Sequence, residues 1–165
     1  IQAKNVSLSE LARLSTNTFG SGAGGNINIE TTSFSVTGGS RVEAITVGAG
    51  TAGSILINAS DSVTLSGVSP IAVVPFIPEL ESAPDLGGGS ASGLYANANA
   101  EESGLGGSIE INTGTLRVAD GAIVSARTLS TAQGGDIAIN VNNFELTGGS
   151  QILASSFGKG EAGSI

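Results

Sequence analysis

The sequence predicts an all-β fold, a right-handed parallel β-helix with about 28 residues and three short strands per coil. The first observation is a motif, Gly-x-Ile-x-Ile, that begins at Gly25, Gly53, Gly107 and Gly135 and starts again at Gly163. The second is its spacing, which is 28 residues from Gly25 to Gly53, from Gly107 to Gly135 and from Gly135 to Gly163. The third is composition: 26 glycines, no Trp, no Met and a core supply of Ile, Val and Leu, which favours strands.

The strands of one coil are visible in residues 25–52. Segments 26–30, 33–37 and 41–45 alternate polar and apolar residues, which predicts short strands with one buried face. Three strands in 28 residues leave about nine residues per side, turn included, which suits a triangular coil. An antiparallel β-sandwich is the alternative architecture, but it does not explain a fixed period.

Alignment of the coils places like residues in columns that we expect to point inward, because one coil cannot bury its own apolar face. The predicted columns are Ile1, Ile29, Ile57, Ile111 and Ile139; Ile27, Ile55, Ile109, Ile137 and Ile165; Val6, Phe34, Val63, Leu116 and Phe144; Leu8, Val36, Leu65, Val118 and Leu146; and Leu14, Val42, Val124 and Ile152, followed by Ala44, Ala126 and Ala154. A fourth apolar column is Phe19, Val47, Leu129 and Phe157.

Pairs of glycines punctuate these columns, at 24–25, 38–39, 106–107, 134–135 and 148–149. We interpret them as corners, where a positive φ and close backbone approach favour Gly. Asn5, Asn28, Asn58, Asn112 and Asn140 are interpreted as outward residues, with hydrogen bonds between coils as one possibility.

The whole chain is interpreted as one β-helix segment. Its predicted parts are a partial coil 1–24, a coil 25–52, a coil with an insertion 53–106, coils 107–134 and 135–162, and the start of another at 163–165. Because both ends fall inside a repeat, we expect the chain to be a segment of a longer protein.

The period is broken once, since Gly53 and Gly107 are 54 residues apart. One extra residue precedes Val63, about two lie near Glu101 and Glu102, and the rest form an insertion at about 66–93 that holds all four prolines. Proline disfavours a central strand, so the insertion is predicted to be a long loop. Loops on a rigid scaffold often carry function.

An apolar stretch in this insertion is the predicted partner-binding site: Ile71, Val73, Val74, Phe76 and Ile77. The alternative is that the same residues fold back and cover a groove between coils. The sequence leaves both interpretations open.

Composition argues against several function classes. The net charge is −8, with 6 basic and 14 acidic residues, so a nucleic-acid partner is not expected. The absence of His and Cys removes His-based triads and thiolate metal sites. The carboxylates scatter over different columns instead of pairing as sugar hydrolysis requires. We therefore expect no enzymatic activity, no cofactor and no metal site, and a polysaccharide-active enzyme remains a distant alternative.

Several of these segments resemble the repeats of filamentous-haemagglutinin-like exoproteins of two-partner secretion, in the form common in cyanobacteria. The segments are Gly-Gly-Asn-Ile-Asn-Ile at 24–29, Ser-Val-Thr-Gly-Gly-Ser at 35–40, Ala-Gly-Ser-Ile-Leu-Ile-Asn-Ala at 52–59, Val-Ala-Asp-Gly-Ala-Ile-Val-Ser-Ala at 118–126 and Phe-Glu-Leu-Thr-Gly-Gly-Ser-Gln-Ile at 144–152. The resemblance covers nearly all of the chain outside the insertion.

This resemblance implies a secreted or cell-surface protein, exported through an outer-membrane secretion partner to the exterior of the outer membrane. It implies adhesion through a cell-surface glycan or protein. Self-association into an extracellular filament or matrix is the alternative. No residue-level binding site carries over from the family, because its ligand contacts are not fixed motifs.

Overall fold

The computed structural model describes residues 1–69, 90–100 and 104–165. They form an all-β, parallel solenoid of about four turns with about 28 residues per turn, which confirms the predicted fold class. The strands are β1 (Asn5–Leu8), β2 (Arg13–Ser15), β3 (Ile27–Thr37), β4 (Arg41–Glu43), β5 (Ile55–Ser66), β6 (Val68–Ser69), β7 (Ser90–Ala91), β8 (Gly93–Tyr95), β9 (Ile109–Ala119), β10 (Ile123–Ser125), β11 (Ile137–Leu146) and β12 (Gln151–Leu153).

Two parallel five-stranded sheets form the wall of the solenoid. The order of the first sheet is β1-β3-β5-β9-β11, and that of the second is β12-β10-β8-β4-β2. Strands in each sheet come from successive coils, numbered here first to fifth along the chain. Each coil therefore completes the backbone ladders of the coils on either side.

The coils contain fewer separate strands than predicted. The first two predicted strands of the second coil, at 26–30 and 33–37, form one continuous strand, β3. Residues 31–32 are both Thr, which has high β-propensity, and no Gly or Pro separates the two segments. The backbone therefore turns from the first side to the second without leaving the ladder. The third side is a three-residue strand, followed by an isolated bridge through Thr46.

The register between the long strands confirms the pairing of the predicted columns, although Phe144 and Leu146 are exposed because β11 is the outermost strand of its sheet. Ile27 pairs with Ile55, and Ile55 pairs with Ile109. The register between β3 and β5 shifts by one residue between Thr31 and Ser33, at the place where the sequence predicted one extra residue. Past this shift Phe34 pairs with Val63, so the one-residue irregularity leaves the inward columns aligned.

The core lies between the walls and, among the residues that the structure describes, consists of aliphatic side chains with one fully buried aromatic ring, that of Phe34. Stacking at the strand spacing of about 4.8 Å brings like side chains into contact. The largest fully buried side chains of the described residues include Ile29, Ile55, Ile57, Leu65, Leu94, Ile109, Ile111 and Leu116.

The fourth apolar column does not belong to this core. Phe19 is 62% exposed and Phe157 is 55% exposed, while Val47 and Leu129 are half-buried. The inward position at this corner belongs to the preceding residue, where Thr46 is fully buried and bridges to the neighbouring coils. Side chains continue to alternate between the two faces beyond the third strand. Because Thr46 points inward, the next residue, Val47, and the rest of the fourth column lie on the outer face.

The two kinds of glycine corner have different causes. At the corner before the third side, Gly38 and Gly39 have φ of 60° and 80°, as a turn with two left-handed residues requires. Asp120 takes the same conformation in the fourth coil, with φ of 56°. At the corner before the first side, Gly53 has no left-handed φ, but an added Cβ would overlap the carbonyl oxygen of Gly25. Close approach alone explains this second corner, contrary to the sequence prediction of a positive φ.

Candidate functional site: the wall around the insertion

The predicted partner-binding residues Ile71, Val73, Val74, Phe76 and Ile77 lie outside the described residues. What is described is the place where the insertion leaves and rejoins the wall. Ser66 pairs with Thr37, and Gly93 pairs with Arg41. The insertion therefore interrupts the third coil at the corner equivalent to the one that Gly38 and Gly39 form in the second coil.

A short antiparallel pair, β6 with β7, forms the neck of the insertion, which we define as residues 67–69 and 90–92. The Ser92 amide donates to the Gly67 carbonyl at 2.9 Å and closes the base of the neck. The Gly39 amide donates to the Ser92 hydroxyl at 2.9 Å, and the Ser90 hydroxyl donates to the Gly39 carbonyl at 3.0 Å. These buried bonds hold the neck against the corner of the second coil.

Beside the neck, the outer face of the third side carries an unusually buried charged cluster. The Glu43 side chain is only 1% exposed, and Arg41 is mostly buried. Glu43 forms an ion pair with Arg13 of the first coil, and the Nη1 atom of Arg41 lies 3.8 Å from Oε1 of Glu43. Asn17 Nδ2 donates to Oε2 of Glu43 at 3.3 Å. These opposite charges offset part of the cost of removing a carboxylate from water.

The cluster extends to the third coil through an aromatic contact. The Arg41 guanidinium lies over the Tyr95 ring, 4.9 Å from its centroid, a favourable cation–π geometry. The buried Tyr95 hydroxyl donates to the Ala91 carbonyl in the neck at 3.0 Å. Charged groups of the first and second coils are thus linked to the strand that ends the insertion.

A second polar group lies farther along the same face. Oδ1 of the buried Asn97 accepts hydrogen bonds from the Ser125 hydroxyl at 2.9 Å and from the Arg127 amide at 3.0 Å. The Arg127 guanidinium lies 5.5 Å from the ring centroid of the exposed Phe157.

Sequence reasoning missed this face. Three of the six basic residues, Arg13, Arg41 and Arg127, lie on it, although the chain as a whole is acidic. A sequence signal existed, because Arg13 and Arg41 are 28 residues apart and fall in one column. The burial of Glu43 had no such signal, since alternation places it on the outward side of its strand.

Side-chain ladders run along the outer face of the first sheet. Asn140 Nδ2 donates to Oδ1 of Asn112 at 2.8 Å, and Asn112 Nδ2 donates to Oδ1 of Asn58 at 2.8 Å. Oδ1 of Asn5 likewise accepts from the Ser33 hydroxyl at 2.7 Å, so hydrogen bonding between coils is found for four of the five asparagines. They add polar links between coils outside the apolar core.

Asp136 forms a similar link near the C-terminal end. Its Oδ1 accepts from the amide and from the hydroxyl of Ser164, both at 2.8 Å. These two bonds, the amide first, lower the pKa of Asp136 because they stabilise its ionised form.

Within ranges 1–69, 90–100 and 104–165, no three acidic side chains gather closely enough to hold a metal ion. An open groove of about 310 Å³ lies beside Ser54, Ser108 and Asp136. Its other lining residues are Thr51, Ala52, Leu105, Gln133 and four glycines, and Asp136 is its single carboxylate.

Comparisons with known proteins do not assign the chain to a family: no family model, no curated protein and no solved structure matches it. In the part of the chain that the structure describes, no helix long and apolar enough to cross a membrane is found.

Proposed function

We propose that this chain is part of a β-helical, haemagglutinin-like adhesin that acts outside the cell, secreted or held at the cell surface. The solenoid is the stiff support, and the insertion carries the contact with a cell-surface glycan or protein. Export through an outer-membrane secretion partner belongs to the same proposal, and its support is the repeat pattern that resembles filamentous-haemagglutinin-like exoproteins.

The observation that carries this proposal is the anchoring of the neck. Here β6 pairs with β7, and both Ser90 and Ser92 bond to the corner at Gly39. A binding loop gains affinity when its base is held in place, because less conformational entropy is lost on binding.

The register of the coils suggests a clean deletion. Gly67 occupies the place of Gly38, and Ser92 that of Ser40, so residues 68–91 stand where the second coil has Gly39 alone. Replacing residues 68–91 by one glycine restores the two-residue corner. We expect this variant to keep its thermal unfolding midpoint within a few degrees and to lose binding to cells and to a glycan array.

The apolar stretch is tested with a point variant and a matched control. Phe76→Ala removes an aromatic side chain from the insertion, and Phe157→Ala removes an exposed one from the wall. We expect weaker binding for Phe76→Ala alone.

If the deletion variant aggregates or melts early, the insertion is a cover for the wall, and the adhesive role of residues 71–77 is wrong.

A structural subunit of an extracellular filament or matrix is the second candidate. The exposed rings of Phe19 and Phe157 lie in one column, on the first and fifth coils, and such a column supports lateral contact between solenoids. The test is the assembly state by electron microscopy and sedimentation, for the parent chain and for Phe19→Ser with Phe157→Ser. Filaments that disappear in the double variant support this candidate, whereas a parent chain that stays monomeric at high concentration counts against it.

A further inference from the structure

We propose that Glu43, Arg41 and Tyr95 form a positioning network that sets the direction in which the neck leaves the wall. The three residues lie on the outer face of the third side and belong to the second and third coils. None of them contributes to the apolar core. Glu43 attracts the Arg41 guanidinium, that guanidinium covers the Tyr95 ring, and the Tyr95 hydroxyl bonds to the neck.

The first step of the network fixes Arg41. Glu43 is buried and lies within 3.8 Å of Nη1 of Arg41. Arg13 and Asn17 of the first coil hold the other carboxylate oxygen, Oε2. The first coil therefore fixes the carboxylate through Oε2, and the attraction between Oε1 and the Arg41 guanidinium restricts the positions open to that guanidinium.

The second step fixes the neck. The Arg41 guanidinium covers one face of the Tyr95 ring at 4.9 Å. The ring is buried, and its hydroxyl donates to the Ala91 carbonyl at 3.0 Å. Ala91 pairs with Val68, so this bond reaches both strands of the neck.

The energetics favour a positioning role over a stabilising one. Oε1 of Glu43 and Nε of Arg41 are both buried, and neither makes a hydrogen bond. Such incompletely satisfied ion pairs add little net stability compared with apolar packing. Buried ionic groups have been associated in some proteins with a unique arrangement of neighbouring elements, and here the neighbouring element is the neck.

The main test is Tyr95→Phe, which removes the hydroxyl bond and keeps the ring. The readout is hydrogen exchange, in the intact chain, at two amides that bond within or onto the neck: the Ser92 amide, which donates to the Gly67 carbonyl, and the Gly39 amide, which donates to the Ser92 hydroxyl. Loss of one buried hydrogen bond predicts about fivefold faster exchange in the neck, with unchanged exchange in β3 and β9. Ser125→Ala is the matched control, because it removes a buried hydroxyl bond on the same face that does not involve the neck. It should leave neck exchange unchanged.

Glu43→Gln is the second variant, chosen because it keeps the shape of the side chain and removes its charge. We expect the same faster exchange in the neck. The thermal midpoint should also fall, because Arg41 stays mostly buried without its carboxylate partner, so exchange in the neck is compared with exchange in β3 and β9 of the same variant. Unchanged neck exchange in both Tyr95→Phe and Glu43→Gln overturns the proposal, as does an equal rise in Ser125→Ala. These measurements require no ligand, so they remain decisive even if the adhesin proposal fails.

Discussion

The α-carbon of Gly135 lies so close to the carbonyl oxygen of Gly107 that the space for a side-chain carbon is already filled. The same relation repeats between Gly107 and Gly53, and between Gly163 and Gly135. Successive coils thus pass each other at this corner with no room for a Cβ, which explains why the motif keeps its glycine.

Gly135→Val should therefore unfold the fourth and fifth coils more easily. The added side chain forces the backbone of two coils apart, and we expect a loss of at least about 2 kcal/mol in the free energy of unfolding. Chemical denaturation measures this loss. Gly22→Ala is the control, since its added Cβ meets nothing within 4 Å. Equal stability of the two variants contradicts the assigned register.

The asparagine ladder should contribute measurable stability. Asn112→Ala removes one bond to Asn58, one from Asn140 and one to Glu110, all partly exposed, which predicts a loss of about 1–2 kcal/mol. Asn142→Ala, at an exposed position in the same region, is the control. A loss no larger than that of the control indicates that solvent replaces the ladder bonds without cost.

Asp136 should make the last coil sensitive to acid. Its pKa is lowered in the folded chain from the usual value of 3.8, so its contribution to stability is full above 3.8. That contribution disappears as the pH falls through the folded pKa. We expect protection of the Ser164 amide to fall in this acid range, and Asp136→Asn to remove this pH dependence. Identical acid profiles for the two chains refute the assignment.

The corner of the first coil is a site for stabilisation. Glu10 and Leu11 have φ of 55° and 66°, at the corner where the second coil has Gly38 and Gly39. A left-handed conformation costs a residue with a Cβ about 1–2 kcal/mol, and glycine avoids this strain. Glu10→Gly should raise the unfolding midpoint because it relieves this strain. The rise should be small, because glycine has more conformational entropy in the unfolded chain. Glu10→Ala keeps the Cβ and should give no increase.

Much of the fold is predictable from the sequence because its signals are local and repeated. The Ile columns follow from alternation and period, and Ile55 lies between Ile27 and Ile109 as the alignment predicts. The fourth column was placed wrongly, since similarity of residue type does not decide on which side of the wall a column lies. The partner-binding residues of the insertion stay a prediction, as do the adhesive function and the export route.

The sequence alone determined the coil length, the inward columns and the positions of the glycine corners, because each depends on a residue and its neighbours one period away. Only the tertiary structure decided that Glu43 is buried, that Arg41 lies over Tyr95 and that Tyr95 bonds to the neck. Arg41 and Tyr95 belong to different coils, and the insertion of irregular sequence lies between them in the chain. The insertion hides the alignment that pairs Glu43 with Tyr95, so these contacts follow from how the coils stack and from where the chain rejoins the wall.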